Sequence, residues 1–155
     1  MKKKTVYIIN ILIPLVVGGI SAFITMNGME AFEAVNKSAL NPPNAVFPIV
    51  WTILYTLMGI GMAMVYLSHC PAESKSLSII FYALQLAFNF CWSIIFFNLQ
   101  AYLFAFIWII LLIVLVAIMI YYFYKCKPVA AYLQIPYLIW LIFAAYLNFT
   151  IFLLN

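Results

Sequence analysis

Hydrophobic and polar residues follow one another along the chain in long blocks. Five blocks contain no Asp, Glu, Lys, Arg or His, and each is about 20 to 25 residues long. A helix of that length crosses a ~30 Å hydrocarbon core, whereas a spanning strand needs only about 10 residues with strict alternation, which none of the blocks shows. The pattern predicts an all-α membrane protein, a five-transmembrane-helix bundle that forms one domain over residues 1–155. The predicted helices are 6–26, 45–67, 77–97, 102–124 and 129–153.

The connection at 27–44 is the only long one between the predicted helices. Within it, the helical spacing of Glu33 and Lys37 predicts a short helix, and a pair of prolines near its end favours an extended turn. These features fit either a solvated loop or a lid over one end of the bundle. Pro14 and Pro136 lie inside predicted helices, where each removes a backbone hydrogen bond and is expected to kink the helix.

The few charges of the chain indicate its orientation. Hydrophobic residues make up 70% of the sequence and charged residues 6%, so a soluble domain of this size could not hide the apolar surface. All seven basic residues are lysines, and alternating helices place six of them on one side, which the positive-inside rule assigns to the cytoplasm. We therefore expect a protein of a bacterial-type plasma membrane with its N-terminus inside and Asn155 outside, in contact with membrane lipid and not with nucleic acid. The six inside lysines are Lys2, Lys3, Lys4, Lys75, Lys125 and Lys127, and Lys37 lies outside.

Two other features of the ends and connections have alternative interpretations. The basic start could belong to a signal peptide, but the apolar run after it is longer than an h-region.

Cys70 and Cys126 fall in predicted inside connections and Cys91 within a helix. Because cytoplasmic thiols are kept reduced, we expect three reduced cysteines and no disulfide. His69 beside Cys70 is expected to be a solvated loop residue, and no metal site is predicted.

Polar and aromatic side chains form stripes on three of the predicted helices. The third helix carries Gln85, Asn89 and Trp92 on one face, and the second carries Trp51 and Tyr55 on another. The fifth carries a stripe with Trp140 on its flank: Gln134, Tyr137, Leu141, Ala144 and Asn148. Such stripes can be interhelical packing or interfacial anchors, and they can equally line a cavity with aromatic walls for an apolar ligand. The fourth helix has no such stripe, so we expect it to face lipid.

The predicted helices lack the residues of ordinary enzyme chemistry. None contains a carboxylate, a lysine or a histidine, so the sequence offers no acid–base pair, no proton relay and no firm axial ligand for haem iron. We therefore predict no catalytic residue, no metal and no required cofactor.

Three segments resemble the translocator protein family, whose bacterial members are called tryptophan-rich sensory proteins. They are NPP at 41–43 with FPIVWTILYTLMG at 47–59, QLAFNFCWSIIFF at 85–97, and PYLIWLIFAAYLN at 136–148. They occur in the order and spacing of the family, which also has five transmembrane helices. Leu40 departs from the pattern, because the family usually has an aromatic residue there. The cholesterol motif of animal members is missing, but that motif is weak even when present, so the sequence does not decide cholesterol binding.

The resemblance implies a function for the stripes. It implies a pocket that opens toward the loop after the first helix, binds protoporphyrin-like tetrapyrroles or other lipophilic small molecules such as isoquinoline carboxamides, and belongs to a protein that is often a homodimer. By matching motif positions, the pocket residues would be Trp51, Tyr55, Gln85, Asn89, Trp92, Trp140 and Ala144.

Three functions compete on this basis. The first is a membrane receptor or sensor with porphyrin as its ligand. The second is an enzyme that degrades bound porphyrin in light, as the resemblance implies for some bacterial members, with Trp51 and Trp140 as candidate photochemical residues. The third is a structural or lipid-organising protein in which the polar stripes only hold helices together.

Overall fold

Helices form all the regular structure of the chain, and five long apolar helical stretches can each cross a membrane. The computed structural model describes all residues, Met1–Asn155. The all-α, five-span fold predicted from the apolar blocks is confirmed. The elements are α1 (Lys3–Glu33), α2 (Val46–Leu67), α3 (Ala72–Ser93), a π-helical turn (Ile94–Asn98, the π segment), α4 (Tyr102–Cys126), α5 (Pro128–Tyr132) and α6 (Ile135–Leu154).

Helix α1 is longer than its apolar run. It has 31 residues, or about 46 Å at 1.5 Å per residue, which exceeds a ~30 Å hydrocarbon core. Its last turns take in residues 27–33, where a separate short helix was predicted. Met, Glu, Ala and Phe follow one another there without a Gly or Pro after Gly28, so nothing in the sequence ends the helix earlier.

The fifth span is divided by its proline. Helix α5 ends at Tyr132 and α6 begins at Ile135, so that Pro136 sits in the first turn of α6, where its missing N–H costs little. The side chain of Gln134 occupies the break and donates from Nε2 to the carbonyl oxygens of Leu57 (3.2 Å) and Ala130 (3.2 Å). The kink that Pro136 predicts for this span is present as a break in the helix just before the proline.

Helix α3 changes into a π-helical turn near its end. The N–H of Leu99 donates to the carbonyl of Ile94 over five residues, at 3.0 Å. Such wide turns are rare and occur mostly at functional sites. The chain then reverses through Gln100, whose φ of 51° lies in the left-handed region.

Helix α4 contributes a full apolar stripe to the core, contrary to the expectation that it faces lipid. The stripe packs against α3 and α6, while the opposite side of the helix is exposed. Because α4 is apolar all round, its sequence carries no signal that separates the two faces. The stripe consists of Ala105, Ile109, Leu112, Val116, Met119 and Phe123, all fully buried.

Cys70 and Cys126 form a disulfide, so the prediction that the chain has no disulfide is wrong. Their Cα atoms lie 4.9 Å apart although 56 residues separate them, and Cys91 is the one free cysteine. Antiparallel packing brings the connection after α2 beside the last residue of α4, which the spacing of cysteines alone does not reveal. We call this the disulfide end of the bundle. The opposite end, with the loop Ala34–Ala45, is the loop end.

Candidate functional site

A cavity of about 460 Å³ lies between the helices at the loop end. Ligand pockets are typically ~300–1,000 Å³ with mainly apolar linings. Side chains of α1, α2, the π segment and α6 line it, and the loop closes part of its mouth. Its lining includes Trp51, Tyr55, Phe96, Phe97, Trp140 and Ala144.

Aromatic rings make the wall that α2 and α6 share. The ring of Trp51 stacks on Tyr55 at 5.5 Å between centroids and 30° between planes, because the two residues are four apart on α2. Trp51 also meets the edge of the Tyr137 ring at 6.2 Å, and Trp140 meets Phe47 edge-on at 5.9 Å. These contacts hold both indoles in place beside the cavity.

The wall facing them is made by the end of α3 and by the π segment. Trp92 stacks on Phe96 at 5.1 Å. Its Nε1 donates to Oδ1 of Asn148 on α6 at 3.1 Å, and Nδ2 of Asn148 donates to the carbonyl of Tyr102 at 2.8 Å. The polar atoms on this side are therefore already paired within the protein. By contrast, the Nε1 of Trp140 has no partner.

Two predicted site residues lie outside the lining of the cavity. Asn89 donates from Nδ2 to the hydroxyl of Tyr137 at 2.9 Å, and that hydroxyl donates to Oε1 of Gln85 at 2.8 Å. The ring of Tyr137 lies between this chain and Trp51, so the structure places Gln85 and Asn89 behind the cavity wall. They join α3 to α6, so for these two residues the polar stripe of α3 serves interhelical packing. The other five predicted residues line the cavity: Trp51, Tyr55, Trp92, Trp140 and Ala144.

Helix α1 supplies a part of the lining that the sequence analysis missed. Near the disulfide end α1 packs closely on α2, since a Cβ at Gly59 would run into the backbone of Ile11. Farther along, α1 instead packs on the π segment, where Asn98 Nδ2 donates to the carbonyl of Ile24 at 3.2 Å and a Cβ at Gly28 would meet the carbonyl of Phe97. Helix α1 therefore contacts α2 near the disulfide end and the π segment near the loop end.

The cavity reaches the outer surface of the bundle between α1 and α2. Gly19, Ala22 and Thr52 are exposed and also line the cavity. The small residues of α1 in the run 18–22 were the available signal, because small side chains allow close approach or leave space.

The loop lies across the mouth of the cavity, which favours the lid over the solvated loop. Asn41 of the loop, together with Met29 and Phe32 from the last turns of α1, lines the cavity. The loop is fastened to the end of α6 by Asn155, whose Nδ2 donates to the carbonyl of Asn36 at 3.0 Å and whose Oδ1 accepts from its N–H at 3.2 Å.

Lys37 holds the start of the loop on α1. Its Nζ donates to the carbonyls of Glu33 (3.1 Å) and Val35 (3.2 Å) and lies 4.5 Å from the centroid of the Phe32 ring. Helix α1 ends at Glu33, so Glu33 and Lys37 do not share a helical face, and Lys37 instead contacts the backbone of Glu33. Leu40, which replaces an aromatic residue in the resemblance, is 64% exposed and takes no part in the lining.

Comparison with known proteins gives one consistent match. The model of the TspO/MBR family matches residues 10–154. The chain is 38% identical over 147 residues to a tryptophan-rich protein TspO of Archaeoglobus fulgidus, covering 94% of each chain. It is 36% identical over 126 residues to a tryptophan-rich sensory protein of Cereibacter sphaeroides (81% of this chain, 77% of that one). It is 31% identical over 132 residues to the human translocator protein (84% and 78%).

Proposed function

The chain belongs to the TspO/MBR family, and from that premise we propose that it is a membrane receptor or sensor which binds a flat, largely apolar ligand of the porphyrin class in the cavity at its loop end. One observation carries the proposal. Three of the four tryptophans, Trp51, Trp92 and Trp140, line the same cavity. The fourth, Trp108, instead packs on Phe88 at 4.4 Å and donates to its carbonyl.

The chemistry of the lining favours a flat ligand held by shape. Indole and phenol rings offer broad apolar faces on which an extended aromatic system can stack. The polar side-chain atoms of Trp92 and Asn148 already have hydrogen-bond partners within the protein, so they leave little for a ligand. The name of the Cereibacter sphaeroides relative, a sensory protein, supports sensing as the role of such binding.

Light-driven breakdown of the bound porphyrin is the second candidate. Trp51 stacks on Tyr55 and touches Tyr137, so three readily oxidised rings stand in contact beside the cavity. In that case the tetrapyrrole supplies the photochemistry, and the protein positions it. From the lysine distribution we expect the loop end to face the outer side of the membrane, and the homodimer implied by the family resemblance is part of the same proposal.

Titration with protoporphyrin IX tests the function. We expect saturable quenching of tryptophan fluorescence in the wild type and its loss in Ala144→Phe, because Ala144 is 6% exposed and a ring there fills the cavity. The matched control is Ile142→Phe on the same helix, whose side chain is 55% exposed and lies outside the lining.

Two outcomes contradict the proposal in different ways. Unchanged quenching in a folded Ala144→Phe protein would move the site away from this cavity. Absence of saturable quenching in the wild type would leave the structural or lipid-organising function.

A further inference from the structure

We propose that Cys70 and Cys126 are a reversible redox site, which exchanges between a disulfide and two thiols by reaction with low-molecular-weight thiols and disulfides on the lysine-rich side of the membrane. The pair lies at the disulfide end, away from the cavity, and is independent of the proposed ligand. The inference rests on where the pair lies, on its neighbours and on the elements that it joins.

The surroundings of the pair place it in a reducing compartment. Lys75, Lys125 and Lys127 all belong to this end of the bundle, and the positive-inside rule assigns such an end to the cytoplasm. Permanent structural disulfides are rare there, and those that form are usually transient and serve catalysis or redox sensing. A disulfide-forming pair on the lysine-rich side therefore fits a redox-responsive site better than a permanent cross-link.

Both cysteines are partly exposed, and Cys70 has a neighbour that suits exchange. Cys70 and Cys126 are both half-buried, so a small thiol can reach them. The hydroxyl of Ser68 lies 3.4 Å from Sγ of Cys70 and 2.7 Å from the carbonyl oxygen of Val65. Its single proton can turn from the carbonyl to the sulfur once that sulfur is a thiolate. Hydrogen-bond donors stabilise a thiolate, so Ser68 is placed to stabilise the thiolate of Cys70.

These contacts define the direction of the reaction. A thiolate of a small thiol attacks Sγ of Cys126, forms a mixed disulfide with it and expels Cys70 as the thiolate that Ser68 stabilises. A second small thiolate attacks the mixed disulfide, forms the small disulfide and releases Cys126. The protein disulfide gains two electrons and the two small thiols lose them. Oxidation runs through the same steps in reverse, with the small disulfide as oxidant.

The cross-link joins elements that are otherwise held by few polar contacts. It connects the turn after α2 to the last residue of α4, immediately before α5. The other polar ties here are Lys75, whose Nζ donates to the carbonyls of Ser68 (2.6 Å) and Tyr66 (3.0 Å), and Gln134, which bridges α5 to α2. Reduction should therefore free the connection after α2 while the cavity at the other end stays intact.

The experiment measures the redox state of the full chain directly. Cells producing the wild type are quenched in acid, with or without brief exposure to the thiol oxidant diamide, and free thiols are counted by the mass shift from a maleimide polymer. We expect three labels in unstressed cells, one label after diamide, and a return to three when diamide is removed, since Cys91 is free in both states. The variant Cys70→Ser should show two labels throughout.

A second arm tests the mechanism in purified protein. Reduced glutathione at several ratios to oxidised glutathione should convert the wild type between one and three labels, and Ser68→Ala should slow the reduction several-fold without changing the label counts. One label in unstressed cells, together with resistance to reduced glutathione, would show a permanent structural disulfide and overturn the proposal. Three labels after both diamide and oxidised glutathione would show that the pair does not form, and would overturn it as well.

Discussion

The hydroxyl of Tyr137 is the centre of the buried polar chain that joins α3 to α6, and its removal tests the role of that chain. In Tyr137→Phe the ring stays, while Nδ2 of Asn89 loses its acceptor and Oε1 of Gln85 loses its donor. All three side chains are at most 1% exposed, so water cannot replace the lost partner. An interhelical hydrogen bond in a membrane protein contributes about 0.6 kcal/mol on average and about 1.7 at most. Two such bonds predict a loss of about 1–3 kcal/mol in the free energy of unfolding.

A matched control comes from Tyr82, a second buried tyrosine in the same helix bundle. It is 6% exposed, and its hydroxyl has no hydrogen-bond partner. Because an unpaired buried hydroxyl destabilises the fold, Tyr82→Phe should be as stable as the wild type or more stable. The same chemical change is thus expected to have opposite effects at the two positions.

Reversible unfolding in mixed micelles with increasing SDS, followed by circular dichroism, measures both variants. Porphyrin affinity should change little in Tyr137→Phe, since the ring that touches Trp51 is retained. Equal stability of Tyr137→Phe and Tyr82→Phe would refute the argument that these hydrogen bonds hold α3 on α6. A large loss of porphyrin affinity in Tyr137→Phe with unchanged stability would instead indicate that Asn89 and Gln85 contribute to ligand binding.

Three further predictions concern the wall, the orientation and the lid. Trp51→Phe should weaken porphyrin binding by about 0.5–1.5 kcal/mol. If the light-driven function is correct, the same variant should sharply reduce the loss of porphyrin under illumination. Equal porphyrin loss in wild type, variant and protein-free detergent would exclude that function. In a cysteine-free background, Ser38→Cys should react with an impermeant maleimide added to intact cells and Ser76→Cys should not, and the reverse pattern would invert the predicted orientation. Asn155→Ala removes both side-chain bonds to Asn36 and should speed ligand release several-fold in stopped-flow measurements, whereas an unchanged rate would show that the loop does not gate the cavity.

The sequence predicts the five spans well, because a bilayer demands about 20 apolar residues in a row from each helix. It also predicts five cavity residues, among them Trp51 and Trp140, since aromatic stripes and the family motifs mark the same positions. The bounds of α1 differ from the prediction because charged residues such as Glu30 can continue a helix beyond the hydrocarbon core.

Other features depend on distances between helices, which an apolar sequence does not encode locally. Gln85 and Asn89 share a face with Trp92, and only the packing of Tyr137 shows that they lie behind the wall. Cys70 and Cys126 are 56 residues apart, and only the antiparallel arrangement brings them together. The π segment has no sequence signature comparable to a proline or a glycine.

The hydrogen bonds across the bundle are distributed unevenly, and this has a mechanical consequence. α3 and α6 are joined at two levels, by Trp92 with Asn148 and by Asn89 with Tyr137. Only 17% of the most apolar 18-residue stretch of α1 is buried, against 39% for α2. The one side-chain hydrogen bond between α1 and another helix is donated by Asn98. We therefore expect the α3–α6 side to be stiff and α1 to be the compliant side, with faster amide hydrogen exchange. Outward tilting of α1 would accommodate a wider ligand. The stiff α3–α6 side would determine which ring shapes fit.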